Sequence, residues 1–219
     1  MKSAIDIAKF FIRKKLDTPR NKYDGNMKLQ KLLYFAQLIH LEMYDDVLFE
    51  DNIRAFENGP VVECVRKRYK EDHNAFVKEA YNSEYNFGEK VKNTLETTIE
   101  LFGDISAKKL SDMTHKHKCW EKALEASKNV NGFYYKNKNI IPVEEMEKEI
   151  SDNLKEYIKA KELSAEQDDE FEVVNGIKFY YDPNEIDIDQ NILNKLENFA
   201  GNDEAYTLIK DSSQGLVIF

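Results

Sequence analysis

The sequence has few of the residues that mark secreted, membrane or phosphate-binding proteins. Its two cysteines, Cys64 and Cys119, lie far apart among 219 residues, which suits a reducing compartment better than a disulfide scaffold. No apolar run approaches the roughly 18 residues needed to cross a bilayer, and Asp6 with repeated Lys and Arg interrupts any secretory core at the N-terminus. The eight glycines form no Gly-rich phosphate loop. We therefore expect a cytoplasmic protein that makes no membrane contact.

Charge is abundant but unevenly distributed. Hydrophobic residues make up 42% and charged residues 33% of the chain, which is typical of a globular protein with a core, and the length suits one medium domain with an appendage. From Lys161 onward there are 14 acidic and four basic residues, so nearly all of the net charge of −9 belongs to this part. Such a segment is either a solvated surface or an attractor of a basic protein, and it cannot bind nucleic acid by neutralising phosphates.

The segment 27–44, MKLQKLLYFAQLIHLEMY, is the strongest helical pattern in the chain. Apolar residues occupy nearly all sides of the predicted helix, which is typical of a helix enclosed by its neighbours. Its few polar residues gather in the first half, and Asn26 is a plausible N-cap. We predict a mainly α fold, a compact multi-helix domain around this central buried helix with a small β element.

Turn and cap residues divide the rest of this domain into shorter elements. Ser3 and Ser106 are candidate N-caps of two helices, and a further helix is predicted from Gly88 to Leu101. Residues 45–57 favour strands or turns. Pro60 suits the first position of a helix, so a helix is predicted directly after it, and another is predicted to begin at Thr114 or His115.

Beyond residue 160 the pattern changes, so we predict two domains, 1–160 and 161–219. The segment 171–181 alternates around Asn175-Gly176, the residue pair of a type I′ β-hairpin. Asp189 is a candidate cap for a helix over 189–200. The tail is thus predicted to be an acidic extension with a hairpin and a helix.

Residue types that carry chemistry are few and poorly arranged. His115, His117 and Cys119 could present three metal ligands, but a structural zinc site needs four, and a packing role is the stronger interpretation. No nucleophile signature surrounds either cysteine. The basic run Arg66–Lys70 is more typical of a solvated helix face than of a nucleic-acid patch. We therefore expect no catalysis, no metal and no cofactor.

Four blocks of the sequence resemble the Panacea domain, also called the SocA-like antitoxin domain, of phage-associated proteins. They are LQKLLYFAQ, then LF, then FENGPVV, and later Leu110 followed by THKHKCW, in an order and spacing that cover roughly residues 1–160. The resemblance implies a mainly helical antitoxin of a toxin-antitoxin pair, which neutralises its cognate toxin by direct protein contact. Some relatives instead act as adaptors that deliver the toxin to a protease. The toxin is expected to be the product of the adjacent gene.

The residues that match the family motifs are expected to be structural. They are Lys31, Tyr34, Gly59, Pro60, Val61, His115 and Trp120, and the sequence departs from the motif at Asn58, where an aromatic residue is common. Toxin specificity is expected in variable regions, so Phe179, Tyr180 and Tyr181 of the hairpin are the candidates for partner binding. The alternative is a nucleic-acid-binding regulator that uses Arg66–Lys70 and the basic first helix, which the overall acidity opposes.

Overall fold

The computed structural model shows a mainly α protein, as predicted. Within the described residues, ten α-helices are accompanied by two small sheets, and about 55% of the chain is helical. The chain divides into two compact units, Met1–Lys155 and Glu156–Phe219. In the described part of the chain no helix is long and apolar enough to cross a membrane. The structure describes residues 3–20, 23–128, 135, 138–166, 170–183, 185–201, 203–211 and 215–219.

The first unit is built from helices and one short hairpin. Its helices are α1 (Ala4–Arg13), α2 (Asp24–Tyr44), α3 (Glu63–Glu71), α4 (His73–Asn82), α5 (Glu89–Phe102), α6 (Ala107–Thr114), α7 (Lys118–Ser127) and α8 (Val143–Met146), followed by a 3-10 turn at Glu147–Glu149. The next helix, α9 (Asp152–Glu166), runs across the domain boundary expected at residue 160. The division into functional domains 1–160 and 161–219 stays a prediction.

The central helix α2 is buried almost all round. Every residue from Gly25 to Leu41 except Met27 is buried, including the polar residues of its first half. The predicted N-cap was wrong, because the helix begins at Asp24, before Asn26. The Asn26 amide instead donates to the Arg66 carbonyl at 3.2 Å and accepts from Gln30 at 3.1 Å. Its polarity therefore fixes α2 against α3 inside the fold.

Caps predicted from local sequence fall where expected. The Ser3 hydroxyl accepts from the Asp6 amide, and the Ser106 hydroxyl accepts from the Lys109 amide. The helix after α6 begins at Lys118 and not at Thr114 or His115, because α6 itself continues to Thr114.

A two-stranded antiparallel hairpin lies between α2 and α3 in the chain. It pairs β1 (Ile53–Phe56) with β2 (Gly59–Val62). The start predicted for the helix after Pro60 is wrong by two residues, because Val61 and Val62 continue the strand opposite Arg54 and Ile53 and α3 starts at Glu63. A helix pattern cannot reveal a strand whose hydrogen-bonding partner lies earlier in the chain.

The second unit packs one helix on a four-stranded sheet. Its elements are β3 (Glu170–Val174), β4 (Ile177–Tyr181), α10 (Gln190–Glu197), β5 (Ala205–Asp211) and β6 (Gly215–Ile218), with sheet order β3-β4-β5-β6. The β4–β5 pair is parallel and the other two pairs are antiparallel. Asn175 and Gly176 both have positive φ, as a type I′ turn requires.

The helix of this unit is shorter than predicted. Asp189 caps it by accepting from the Ile192 amide at 2.8 Å, but it ends at Glu197, three residues before the predicted end. The buried cluster beneath it comprises Phe179, Tyr181, Ile186, Leu196 and Leu208.

Candidate functional site

Three helices hold the turn of the first hairpin, Phe56–Pro60, which we call the hairpin tip. From α7, the Trp120 Nε1 donates to the Phe56 carbonyl at 2.9 Å, and from α6 the Ser111 hydroxyl donates to the Asn58 carbonyl at 3.0 Å. From α2, the Lys31 Nζ donates to the Pro60 carbonyl at 3.1 Å. Side chains distant in sequence thus satisfy three carbonyls that a turn would otherwise leave to water.

Gly59 fits the hairpin tip because a larger residue would collide with two of these helices. Its φ is +98°, and a Cβ there would lie 2.6 Å from the Lys31 Nζ and 2.7 Å from the Thr114 Oγ1. Both the backbone conformation and the space exclude a side chain. Its neighbours Pro60 and Val61 are buried.

The aromatic and histidine motif residues pack beside the tip. The buried Tyr34 hydroxyl lies 2.7 Å from the His117 Nδ1 and 3.4 Å from the Cys119 Sγ. The His115 ring stacks on Trp120 with ring centroids 4.4 Å apart. Burial raises the pKa of Tyr34 and lowers the pKa of His117. His115 and Trp120 thus contact each other, as do Lys31 and Pro60, whereas Tyr34 contacts His117 and Cys119. The structural role of the motif residues stays a prediction.

The thiols show no activation. Burial raises the pKa of the Cys119 thiol to about 11, and burial together with a hydrogen bond to Asp51 raises that of Cys64 to about 12. A nucleophilic cysteine needs the opposite shift, towards the thiolate. Among the described residues no three His, Cys, Asp or Glu side chains are grouped closely enough to hold a metal ion.

Lys31 is a buried cation without a carboxylate partner. Its side chain is 1% exposed, and in the described part of the chain its ammonium forms no ion pair and has only the Pro60 carbonyl as acceptor. Removal from water lowers the pKa of Lys31 to about 7. Partial desolvation of the His115 ring, and after it the nearby charge of Lys31, lowers the pKa of His115.

A cavity of about 520 Å³ adjoins Lys31 and the hairpin tip. Of the described residues that line it, three are cationic, Lys31, Arg66 and Lys70, and none is acidic. Most of its exposed lining is apolar and includes Met27, Phe56 and Val61. The sequence offered one signal for this cavity, the polar residues at the start of an otherwise apolar helix, and that signal was missed.

The basic run on α3 is largely neutralised by neighbouring carboxylates. Arg66 makes a two-pronged pair with Glu63, with N–O distances of 2.8 and 2.9 Å, and Lys67 lies 3.8 Å from the same carboxylate. Arg68 pairs with Glu79 and lies 3.5 Å from Asp72. The run therefore does not present a row of free cations to a phosphate backbone.

The structure separates the three hairpin residues proposed as partner contacts. Phe179 and Tyr181 are buried in the core of the second unit, whereas Tyr180 is half-buried on the opposite side of the sheet. Alternation along a strand places neighbouring side chains on opposite faces. Only Tyr180 is available for direct contact.

The side of the sheet that carries Tyr180 is largely apolar, with Lys178 over the Phe171 ring, and we call it the outer sheet face. Phe171 pairs across the strands with Tyr180, with ring centroids 5.5 Å apart, and the register places Val173 and Ile209 on the same side. Phe171 is 50% exposed, Val173 is 56% exposed and Ile209 is 44% exposed. Phe219, 68% exposed, continues the pattern because its backbone pairs with Thr207.

Comparison with known proteins finds a match to one family model, within the first unit. Residues 29–121 match the family model of the antitoxin SocA-like, Panacea domain. The match covers less than half of the chain and confirms the resemblance noted from the sequence. It includes α2 from Leu29 onward, the hairpin tip and all seven motif residues. No curated protein and no solved structure matches the chain.

Proposed function

Because residues 29–121 match an antitoxin domain, we propose that this protein is the antitoxin of a toxin-antitoxin pair and neutralises a cognate toxin by binding it. That match is the observation that carries the proposal. The site is consistent with it, since the two thiols have raised pKa values and Lys31 and Trp120 donate to carbonyls of the hairpin tip. On this proposal the protein acts in the cytoplasm, without enzymatic activity, on the product of an adjacent gene.

The toxin contact is proposed on the outer sheet face and not on the motif residues. Lys31 and Gly59 are buried and Trp120 is half-buried, so these motif residues expose little surface to a protein partner. The outer sheet face offers exposed aromatic and aliphatic side chains, which are the groups that anchor protein interfaces. Phe179 and Tyr181 contribute indirectly, by holding the sheet that presents Tyr180.

Charge identifies the kind of toxin surface that fits this face. Residues 161–219 carry a net charge of −10, although the register places Glu170 and Glu172 on the side of the strand opposite Phe171, and Lys178 lies over the Phe171 ring on the outer sheet face. A basic toxin surface with an apolar centre would be attracted by this field and would bury the aromatic pair. The occupant we propose is therefore a basic region of the toxin.

Co-expression tests the function. The adjacent gene product should arrest growth when expressed alone, and this protein should restore growth without lowering the amount of toxin. Restored growth with loss of the toxin would instead indicate an adaptor that delivers it to a protease. A toxic neighbour unaffected by this protein would contradict the proposal.

Substitution on the outer sheet face tests the contact. Phe171→Ala and Ile209→Ala should each weaken the toxin complex about tenfold or more while leaving circular dichroism unchanged, because both side chains are exposed. Tyr135→Ala is the matched control, since Tyr135 is a 54% exposed aromatic residue of the first unit. Equal affinities for all three variants and the wild type would show that the toxin binds elsewhere.

A further inference from the structure

We propose that the cavity beside the hairpin tip binds a small organic anion, with its phosphate or carboxylate group near Lys31, Arg66 and Lys70. This site lies in the first unit and is independent of the toxin contact proposed on the outer sheet face. Three arguments carry it: the charge of the lining, the size and apolar character of the space, and the missing counter-ion of Lys31.

The charge of the lining is opposite to that of the protein. The chain has 41 acidic and 32 basic residues, yet the described residues that line the cavity include three cations and no carboxylate. The Arg66 guanidinium is fixed by Glu63, which offsets part of its charge, whereas Lys70 is exposed and has no partner among the described residues. A net positive potential therefore remains, and it selects an anion.

The size and lining of the cavity suit an organic molecule better than a bare inorganic ion. Its volume of about 520 Å³ lies within the usual range for small-molecule sites. Met27, Phe56 and Val61 supply an apolar wall, and the Arg66 guanidinium lies 5.8 Å from the centre of the Phe56 ring. An apolar or aromatic body would bury this wall, while the anionic group would stay with the cations.

The walls of the cavity are held in place before any ligand arrives. The Gln30 side chain accepts from the Val62 amide at 2.7 Å and donates to Asn26, which in turn donates to Arg66. This chain of hydrogen bonds ties α2, β2 and α3 together. A preorganised site loses little freedom on binding, which favours affinity for a small ligand.

Lys31 supplies the strongest reason for an anion. A buried ammonium without a carboxylate is costly, and among the described residues only one carbonyl compensates that of Lys31. An anion in the adjoining cavity would provide the missing counter-charge. Binding should then raise the depressed pKa of Lys31, so the complex should take up a proton near pH 8. Among the described residues, the other charged groups of the lining are Arg66 and Lys70, with Glu63 and Glu71 acting on Arg66, and His115 lies close enough to Lys31 for the lysine charge to lower its pKa.

Calorimetry on the full chain tests binding with defined probes. Phenyl phosphate and phenylacetate carry the two anionic groups on an aromatic ring, benzyl alcohol is the neutral analogue, and inorganic phosphate lacks the ring. We expect at least one aromatic anion to bind with a Kd below about 1 mM and at least about tenfold more tightly than benzyl alcohol and inorganic phosphate. Preference for the phosphate or the carboxylate probe identifies the anionic group. Failure of both anions to bind, or equal binding of benzyl alcohol, would overturn the proposal.

Two substitutions locate the site. Lys70→Gln removes an exposed rim cation and should weaken binding about fivefold to tenfold, whereas Lys67→Gln, on the same helix but outside the cavity, should leave it unchanged. Lys31→Met keeps the side-chain length and should abolish the proton uptake, which is measured by repeating the titration in buffers of different ionisation enthalpy. If Lys31→Met fails to fold, the affinity of Lys70→Gln and the proton uptake of the wild type still test the proposed site. Binding unaffected by Lys70→Gln, or without proton uptake, would contradict the assignment.

Discussion

Replacement of Lys31 by Met should change how the stability of the first unit depends on pH. In the unfolded chain this lysine keeps its proton up to about its ordinary pKa of 10.5, whereas in the folded protein burial lowers the pKa to about 7. Between these values the unfolded state binds more protons, so the free energy of unfolding of the wild type rises with pH. The cost of the buried charge is fully present below about pH 7 and is relieved as pH rises.

The magnitude follows from the size of the shift. Each pH unit inside this window adds roughly 1.4 kcal/mol to the stability of the wild type, and Lys31→Met lacks this contribution. The stability difference, wild type minus variant, should therefore increase by roughly 2 to 3 kcal/mol between about pH 7.5 and about pH 9.5. Other ionisable groups are present in both proteins and largely cancel in the difference. His115, with its lowered pKa, titrates below the window.

Urea denaturation followed by tryptophan fluorescence measures this difference. The chain has one tryptophan, Trp120, which lies in the first unit and bonds to the hairpin tip, so its signal reports the unit that contains Lys31. Lys67→Met, at an exposed lysine of α3, is the control. Its free energy of unfolding should change with pH in the same way as that of the wild type. If the difference in the free energy of unfolding between wild type and Lys31→Met stays constant with pH, the conclusion that Lys31 is buried and unpaired is refuted.

Three further predictions concern the tip, a thiol and a cap. Gly59→Ala should destabilise the first unit by about 2 kcal/mol or more in thermal denaturation, because a Cβ meets Lys31, whereas Gly176→Ala, with φ +85° and open space, should cost only about 1 kcal/mol. Cys119, buried with a raised pKa, should react with iodoacetamide at pH 8 at least about a hundredfold more slowly than after unfolding, as mass spectrometry can measure. Asp189→Ala should lower the stability of the second unit by about 1 kcal/mol, visible as increased proteolysis between residues 189 and 197.

The features that the sequence predicted correctly are those set by neighbouring residues. Ser3, Ser106 and Asp189 cap helices through bonds to amides three residues on, and Asn175-Gly176 makes a turn whose conformation those two residues determine. Such bonds need no distant partner. They can therefore be read from a window of a few residues.

The wrong predictions concern residues whose conformation depends on segments distant in the chain. Asn26 was expected to cap α2, but Arg66 on another helix and Gln30 use its amide. The residues after Pro60 extend as a strand because β1 lies beside them. In each case the local pattern allowed two conformations and a tertiary contact selected one.

The partner-binding candidates show the same limit at the level of function. Alternation in the hairpin separates Tyr180 from its neighbours, but it cannot tell which face a helix covers. The covered side holds Phe179 and Tyr181, together with Leu196 of α10. The resemblance pointed to Lys31, yet its burial and the cavity beside it depend on α2, α3 and the hairpin meeting.

The most direct test of neutralisation by binding is to titrate the purified toxin with the purified full chain. Toxin activity should fall linearly and reach its minimum at a fixed stoichiometric ratio, and size-exclusion chromatography with light scattering should show a complex of that composition. Phe171→Ala should shift the inhibition curve towards higher concentration. Toxin that stays fully active beside an excess of this protein, with no complex formed, would contradict the account.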